Sequence, residues 1–221
     1  MKQEVSLVAL SKPSATTGCS TANELIAYTA RVSNPANQNN HESAPRLIKY
    51  LIKHGHWSPL EMVHMTMSIK TTRDISRQIL RHRSFSFQEF SQRYAVSENF
   101  VEREARLQDD KNRQNSIEIE DNDVHHEWLH AQARVRWMAQ KEYEKALKMG
   151  IAKEQARALL PEGLTETTLY MSGSLRSWIH YCQLRMANGT QKEHMEVAEL
   201  CWDIIGQHFP DIVEAVKELE D

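Results

Sequence analysis

Met62 to Thr72 (MVHMTMSIKTT) alternates without a break. Val63, Met65, Met67 and Ile69 fall on one side, and His64, Thr66, Ser68 and Lys70 on the other. A period of two puts every second side chain on the same face of a pleated strand, so this run predicts a half-buried antiparallel strand. Glu4–Leu10 (EVSLVAL), ended by Pro13 and the Thr16-Thr17-Gly18 turn, and the Thr-rich Leu164–Met171 (LTETTLYM) read as further strands. The longer periodic stretches are helical. Thr21–Val32 has Thr21 or Asn23 as its cap, and Ser43–His54 has Ser43 as cap, Pro45 in the first turn and Gly55 as its stop. Asp74 to about His82 forms a third helix. Val124–Met149 is amphipathic, carrying Trp128, Leu129, Val135, Met138 and Leu147, and Gly150 closes it. Ala152–Leu160, Ser174–Met186, Gln191–Phe209 and Asp211–Leu219 follow, the last two parted by Pro210. Such scattered strands do not suit a doubly wound parallel sheet. The expected fold is α+β, a small antiparallel sheet packed with several helices.

The 221 residues suit one domain spanning 1–221, and 40% hydrophobic residues suffice for a sizeable core. Residues 101–123 (VEREARLQDDKNRQNSIEIEDND) are highly charged, and read as an exposed insertion in that domain. With 27 basic and 30 acidic groups the net charge is −3, which argues against coating nucleic acid through bulk charge. Cys19, Cys182 and Cys201 are odd in number and widely spaced, as expected of reduced thiols in a cytosolic protein. No apolar run approaches the ~18 residues that span a bilayer, and Met1-Lys2-Gln3-Glu4 lacks a signal peptide's apolar stretch. A soluble, cytoplasmic protein without a membrane partner is expected.

The densest chemistry lies in Arg81-His82-Arg83-Ser84-Phe85-Ser86-Phe87-Gln88-Glu89-Phe90-Ser91-Gln92-Arg93-Tyr94. Forked guanidinium donors match phosphate oxygens, so the segment is suited to phosphorylated ligands. Arg73, Arg77 and Arg81 recur every four residues and would share one helical face, with a solvated basic stripe as the plainer use. Gly55-His56-Trp57-Ser58-Pro59-Leu60-Glu61 is a second polar node, between a helix end and a strand. His126 and His130 are four apart, but the glutamate spacing differs from that of a zinc helix, and no metal is expected. No G-x-G-x-x-G or Walker A loop is present, so a dinucleotide would be held by Arg, hydroxyls and helix ends.

These motifs resemble those of the flavin-dependent thymidylate synthases. The hallmark Arg-His-Arg, seven residues, then Ser is matched by Arg81-His82-Arg83 and Ser91, with Glu89, Arg93 and Tyr94 in pattern. His56, Ser58 and Glu61 match a Gly-His-x-Ser-Pro-x-Glu segment, and Arg157 to Pro161 an Arg-x-x-Leu-Pro element. The resemblance implies an FAD site from Ser58, Arg81, His82, Arg83, Glu89, Ser174, Arg176 and His180. It implies a dUMP site from Gln78, Arg81, Glu89, Ser91, Gln92, Arg93, Arg157 and Arg185. Arg185, Ser91 and His56 are the implied catalytic residues. The implied reaction methylates dUMP to dTMP, with methylenetetrahydrofolate as carbon donor and NADPH-reduced FAD as hydride source. A homotetramer with shared sites is implied as well. The chain departs from the pattern at Gln88, Gln92 and Gly189, and Thr190-Gln191-Lys192-Glu193-His194 fits the family's Ala-Gln-x-Glu-Ile only at Gln191 and Glu193.

The cysteines lie outside every matched motif, in keeping with a route that needs no thiol. Arg185 would stabilise negative charge developing on the pyrimidine. Ser91 has no paired base nearby in sequence and would orient the nucleotide by a hydrogen bond. Two other readings remain: a nucleotide and flavin sensor without turnover, and a single-stranded nucleic-acid module with Phe85, Phe87, Phe90 and Tyr94 as stacking platforms.

Overall fold

The computed structural model describes residues 2–97 and 99–220. Four strands form one antiparallel sheet: β1 (Glu4–Leu10), β2 (His64–Thr72), β3 (Ser86–Glu89) and β6 (Glu166–Ser174), in spatial order β1-β2-β6-β3. Helices α1 (Ala22–Ala30), α2 (Ala44–Lys53), α3 (Arg73–Ile79), α6 (Leu175–Met186), α7 (Lys192–His208) and α8 (Pro210–Glu220) accompany the sheet, giving the α+β architecture expected. The alternation in β2 is realised as read, with Met65, Met67 and Ile69 buried and His64 exposed. Those side chains join Ile26, Ile48, Leu169, Met171, Trp178, Val197 and Ile205 in one apolar core. Removing such side chains from water is the main force holding the layers together.

Local chemistry explains some helix ends. Thr21 and Glu24 form a reciprocal capping box at α1, so Thr21 is the cap and Asn23 is not. Ser43 makes no side-chain cap; its hydroxyl accepts from Arg31 Nη2 at 2.8 Å. Gly55 follows α2 at φ +66, a conformation that costs a residue with a Cβ.

Three expectations need correction, and one strand was not expected. Helix α3 ends at Ile79 instead of continuing to His82, so Arg81 leaves the face shared by Arg73 and Arg77. Strand β3 is signalled only by a short alternation, Phe85 and Phe87 between Ser84, Ser86 and Gln88, and it forms by pairing with β6. The segment 152–160 holds only the short α5 (Lys153–Ala156) and a 3₁₀ turn over Arg157–Leu159. The amphipathic helix is α4 (Asn122–Lys148), capped by Asp121, but among its described residues only Gln132 and Tyr143 are buried. Trp128, Val135 and Met138 are exposed within this chain.

The charged 101–123 stretch is not exposed throughout. It carries a hairpin of β4 (Arg106–Gln108) and β5 (Ser116–Glu118), and Val101 and Ala105 are buried. The Gln132 amide serves both backbone groups of Arg103, accepting its N–H at 2.7 Å and donating to its carbonyl at 2.9 Å. The Arg103 guanidinium donates to Asp74 at 2.6 Å and to the Gly163 carbonyl at 3.1 Å. Sequence-distant partners thus pull a hydrophilic run inward.

Strand β6 continues three residues past the expected end and meets α6 without a loop. Ser174 closes the strand and caps the helix, its Oγ accepting from the Ser177 N–H at 3.3 Å. One residue earlier, Gly173 lies under the Phe85 ring, where a Cβ would fall 2.5 Å from a ring carbon.

Candidate functional site

Arg176 and Arg185 are nine positions apart on α6, about two and a half helical turns, so they leave the helix on opposite flanks. Each flank meets a different polar group. At the first, Arg176 Nη1 donates to Glu61 Oε1 at 2.6 Å. Gly55, His56, Trp57, Ser58, Glu61 and Arg176 line a cavity of 490 Å³ there. A hydrogen bond from Ser174 and the Arg176 guanidinium hold the Glu61 carboxyl below its ordinary range. His180 sits edge-on to Trp57 at 4.7 Å, and partial burial with nearby Arg176 lowers its pKa. His56 is exposed on the rim, its ring 6.2 Å from Tyr50. The structure therefore brings together His56, Ser58, Ser174, Arg176 and His180, from segments more than 100 positions apart in sequence.

On the other flank, Arg185 Nε donates to His82 Nε2 at 2.9 Å. Burial, then Arg185 and Arg81, push the His82 pKa down to about 4, so the ring is neutral near pH 7. A neutral ring that accepts at Nε2 carries its proton on Nδ1. The ring stands edge-on to Tyr181 at 4.9 Å. Gln78 is next in this group, with Nε2 2.8 Å from Gln191 Oε1 and Oε1 3.3 Å from His194 Nδ1. Arg81 and Arg83, on the exposed turn beyond α3, have no carboxylate partner among the described residues.

Glu89 lies elsewhere, on β3. Its side chain is 13% exposed and accepts from Ser76 at 2.8 Å, Thr167 at 3.1 Å and Arg77 at 3.4 Å, with Arg73 Nη1 at 3.6 Å. Arg73 is the surprise of the basic stripe: its side chain is 6% exposed. Sequence periodicity gave it a solvated face, but the Glu89 carboxylate draws it in.

Ser91 and Arg93 are exposed, and Gln92 is buried, with its amide donating to Ser97 at 3.3 Å. That hydrogen bond ties Gln92 into its own loop and leaves the second N–H and the carbonyl of its amide for a nucleotide. Arg93 and Arg157 meet at Glu154, the first on its carboxylate at 3.4 Å and the second on its carbonyl at 3.2 Å. Within this chain the arginines implied for dUMP thus fall in two places, Arg81 with Arg185 around His82, and Arg93 with Arg157. Phe85 is buried against Trp178 at 4.9 Å and offers no platform for a stacked base.

A larger cavity, of 1020 Å³, opens between the β4–β5 hairpin, α4 and the start of α7. None of the residues implied for FAD, dUMP or catalysis lines it, but Gln191, Glu193, Arg103 and Arg106 do. Of these, Gln191 and Glu193 were visible as matched motif positions. His194 and Tyr181, both buried behind them, carried no signal beyond His194's departure from the motif.

Comparison with known proteins places this geometry in context. Residues 16–211 match the family model described as thymidylate synthase complementing protein. A protein of Paramecium bursaria Chlorella virus 1 named "Probable flavin-dependent thymidylate synthase" is 51% identical over 211 residues, 95% of this chain and 97% of its own. The flavin-dependent thymidylate synthase of Synechocystis is 50% identical over 193 residues, 87% of this chain and 88% of its own. Among solved structures, the UMP/dUMP methylase PolB of Streptomyces cacaoi, bound with 5-Br dUMP, superposes with a TM-score of 0.83. It is 28% identical, with 98% of this chain and 95% of that one covered.

Proposed function

This chain belongs to the thymidylate synthase complementing protein family, and from that premise we infer that it is a flavin-dependent thymidylate synthase converting dUMP to dTMP. The observation that carries the reading into this structure is the Arg185–His82 contact. It ties the middle of the Arg-rich signature to α6 across 103 positions of sequence.

The residues present suit a flavin. The 490 Å³ cavity offers Ser58, Glu61 and Arg176 beside the His180 ring, and Arg81 and Arg83 supply guanidiniums free of carboxylates among the described residues. FAD is the form proposed, held by these residues with His82, Glu89 and Ser174. The bound flavin, reduced by NADPH, would supply the hydride. Methylenetetrahydrofolate is the proposed carbon donor.

This chain's own groups would bind, orient and stabilise. Arg185 faces charge that develops on the pyrimidine, and the neutral His82 acceptor fixes the plane of its guanidinium. Gln78, Arg81, Glu89, Arg93 and Arg157 hold the nucleotide's phosphate, sugar and base, and proximity is their contribution. Ser91 orients by a hydrogen bond; no imidazole or carboxylate among the described residues bonds its hydroxyl as a base would. His56 works from the cavity rim. Cys182 and Cys201 are fully buried, with burial pushing both thiols up, so neither is a candidate nucleophile.

The remaining proposals concern organisation. Residues 1–221 form one domain, elaborated by the hairpin segment. Four copies assemble and share active sites, which the uncovered apolar residues Val124, Trp128, Val135 and Met138 along α4 support. No helix among the described residues is long and apolar enough to cross a membrane, and the free thiols suit a reducing cytoplasm. The deciding experiment reduces purified, flavin-loaded protein with NADPH in the absence of oxygen, then adds dUMP and methylenetetrahydrofolate. dUMP-dependent oxidation of the reduced flavin with release of dTMP is expected. Protein that cannot be loaded with flavin, or flavin oxidation indifferent to dUMP, would refute the assignment.

A further inference from the structure

A carboxylate can only accept hydrogen bonds, and one buried carboxylate sets the direction of a whole chain of them here. Glu193, in the first turn of α7, is 7% exposed and receives Arg103 Nη1 at 3.1 Å together with Arg106 Nη2. Burial pushes its carboxyl up, but the Arg106 hydrogen bond and the Arg103 charge outweigh that and hold its pKa at about 2.

Gln191 Nε2 donates to Glu193 Oε2 at 2.9 Å, so the Gln191 carbonyl must face the other way. There it accepts from Gln78 Nε2 at 2.8 Å. Gln78 in turn presents Oε1 to His194 Nδ1, 3.3 Å away, which makes Nδ1 the protonated nitrogen. His194 Nε2 is left to accept, and the Tyr181 hydroxyl lies 3.1 Å from it. The order Tyr181, His194, Gln78, Gln191, Glu193 thus has a single polarity, each member donating to the next. His194 is fully buried and Tyr181 is 2% exposed, so water does not compete at that end. Burial, then Arg185 and His82, lower the His194 pKa to about 3, consistent with a ring that carries one proton.

We propose that Glu193 and His194 are positioning residues for nucleotide recognition. They lock the Gln78 amide so that its remaining N–H and its remaining carbonyl lone pair face a pyrimidine nucleotide in one orientation only. Arg103 and Arg106 anchor the acceptor end, so the charged hairpin segment is coupled to the nucleotide site without touching it. The proposal rests on the assignment of Gln78 to dUMP, and the tests separate the two.

The first test is independent of function. In ¹⁵N spectra of histidine-labelled protein, with the His194 signals assigned by their loss in His194→Asn, the Nδ1–H tautomer is expected. An Nε2–H tautomer overturns the proposal. The second measures dUMP dissociation constants of the flavin-loaded protein, with melting temperatures alongside. His194→Leu is expected to weaken dUMP about tenfold by leaving the Gln78 carbonyl without its donor. His194→Asn, whose amide can place an N–H where Nδ1 stands, is expected to restore most of that affinity. Equal affinities for the two variants overturn the proposal.

Should the leucine variant fail to fold, Glu193→Gln decides. Its amide can donate as well as accept, the chain loses its fixed direction, and dUMP is expected to bind about tenfold more weakly. Unchanged binding overturns the proposal. If Gln78→Ala binds dUMP as the parent protein does, the nucleotide assignment of Gln78 fails, and the positioning role falls with it.

Discussion

Arg185 Nε donates to His82 Nε2 at 2.9 Å, so the cation proposed to face the pyrimidine leans on an imidazole that its own charge helps keep neutral. Replacing Arg185 therefore removes a charge and also frees a base.

Arg185→Ala is expected to lower kcat by about a hundredfold or more with dUMP saturating, the scale of losing one donor to developing charge. The dUMP dissociation constant should rise far less. NMR titration should find the His82 pKa raised, because Arg185 is one of the causes lowering it. Retention of most turnover would remove Arg185 from the chemistry.

Acid should destabilise the protein before ordinary carboxylates titrate. Unfolded, His194 protonates near 6.5; folded, only near 3. Between those values the unfolded chain binds the extra proton, so stability falls as pH falls, by up to about 1.4 kcal/mol per pH unit. His82, lowered to about 4, acts in the same sense. The contribution of Glu193 is present above 4.5 and fades toward about 2. Melting temperatures measured from about pH 8 to about pH 4 should drop below 6.5, and less steeply in His194→Asn. Parallel profiles would contradict the buried neutral ring.

Glu89→Gln leaves the Arg73 guanidinium, whose side chain is 6% exposed, beside Arg77 without its nearest counter-charge. Breaking a buried pair from one side costs about 3–5 kcal/mol, and Glu162 at 3.9 Å offsets part of it. Urea unfolding should report a loss of at least about 2 kcal/mol. A loss within error would mean that Glu162 alone balances Arg73.

Gly173→Ala drives a methyl into Phe85, which is held edge-on against Trp178 at 4.9 Å. Overpacking of about 1–3 kcal/mol is expected. Adding Phe85→Leu should recover part of it, giving a coupling energy between the two sites in a double-mutant cycle. Strictly additive effects would place the strain elsewhere.

The alternating β2 run and the capped helices were legible in the sequence because their signals are local. Thr21 with Glu24, and Gly55 after α2, say where a helix starts and stops without reference to anything distant. Strand β3 was barely legible, since Phe85 and Phe87 alternate over too short a run and pairing with β6 defines the strand. Arg73 and Arg103 misled for one shared reason: charge predicts solvent unless a partner far along the chain meets it. Glu89 lies 16 residues from Arg73, and Asp74 29 residues from Arg103. In the candidate site, the motifs nominated residues but not their grouping. That grouping depends on how α6 divides its flanks, and His194 became visible only once its neighbours were in place.

Ser174 joins β6 to α6 with no slack, and this makes the helix a gauge. Deleting or adding one residue between Arg176 and Arg185 would turn one arginine about 100° relative to the other and move it about 1.5 Å along the axis. No neighbouring loop could absorb the error at the strand end, where β6 is pinned between β2 and β3. Side chains along this rod can drift over generations, but its residue count between the two guanidiniums is as fixed as the pitch of a screw.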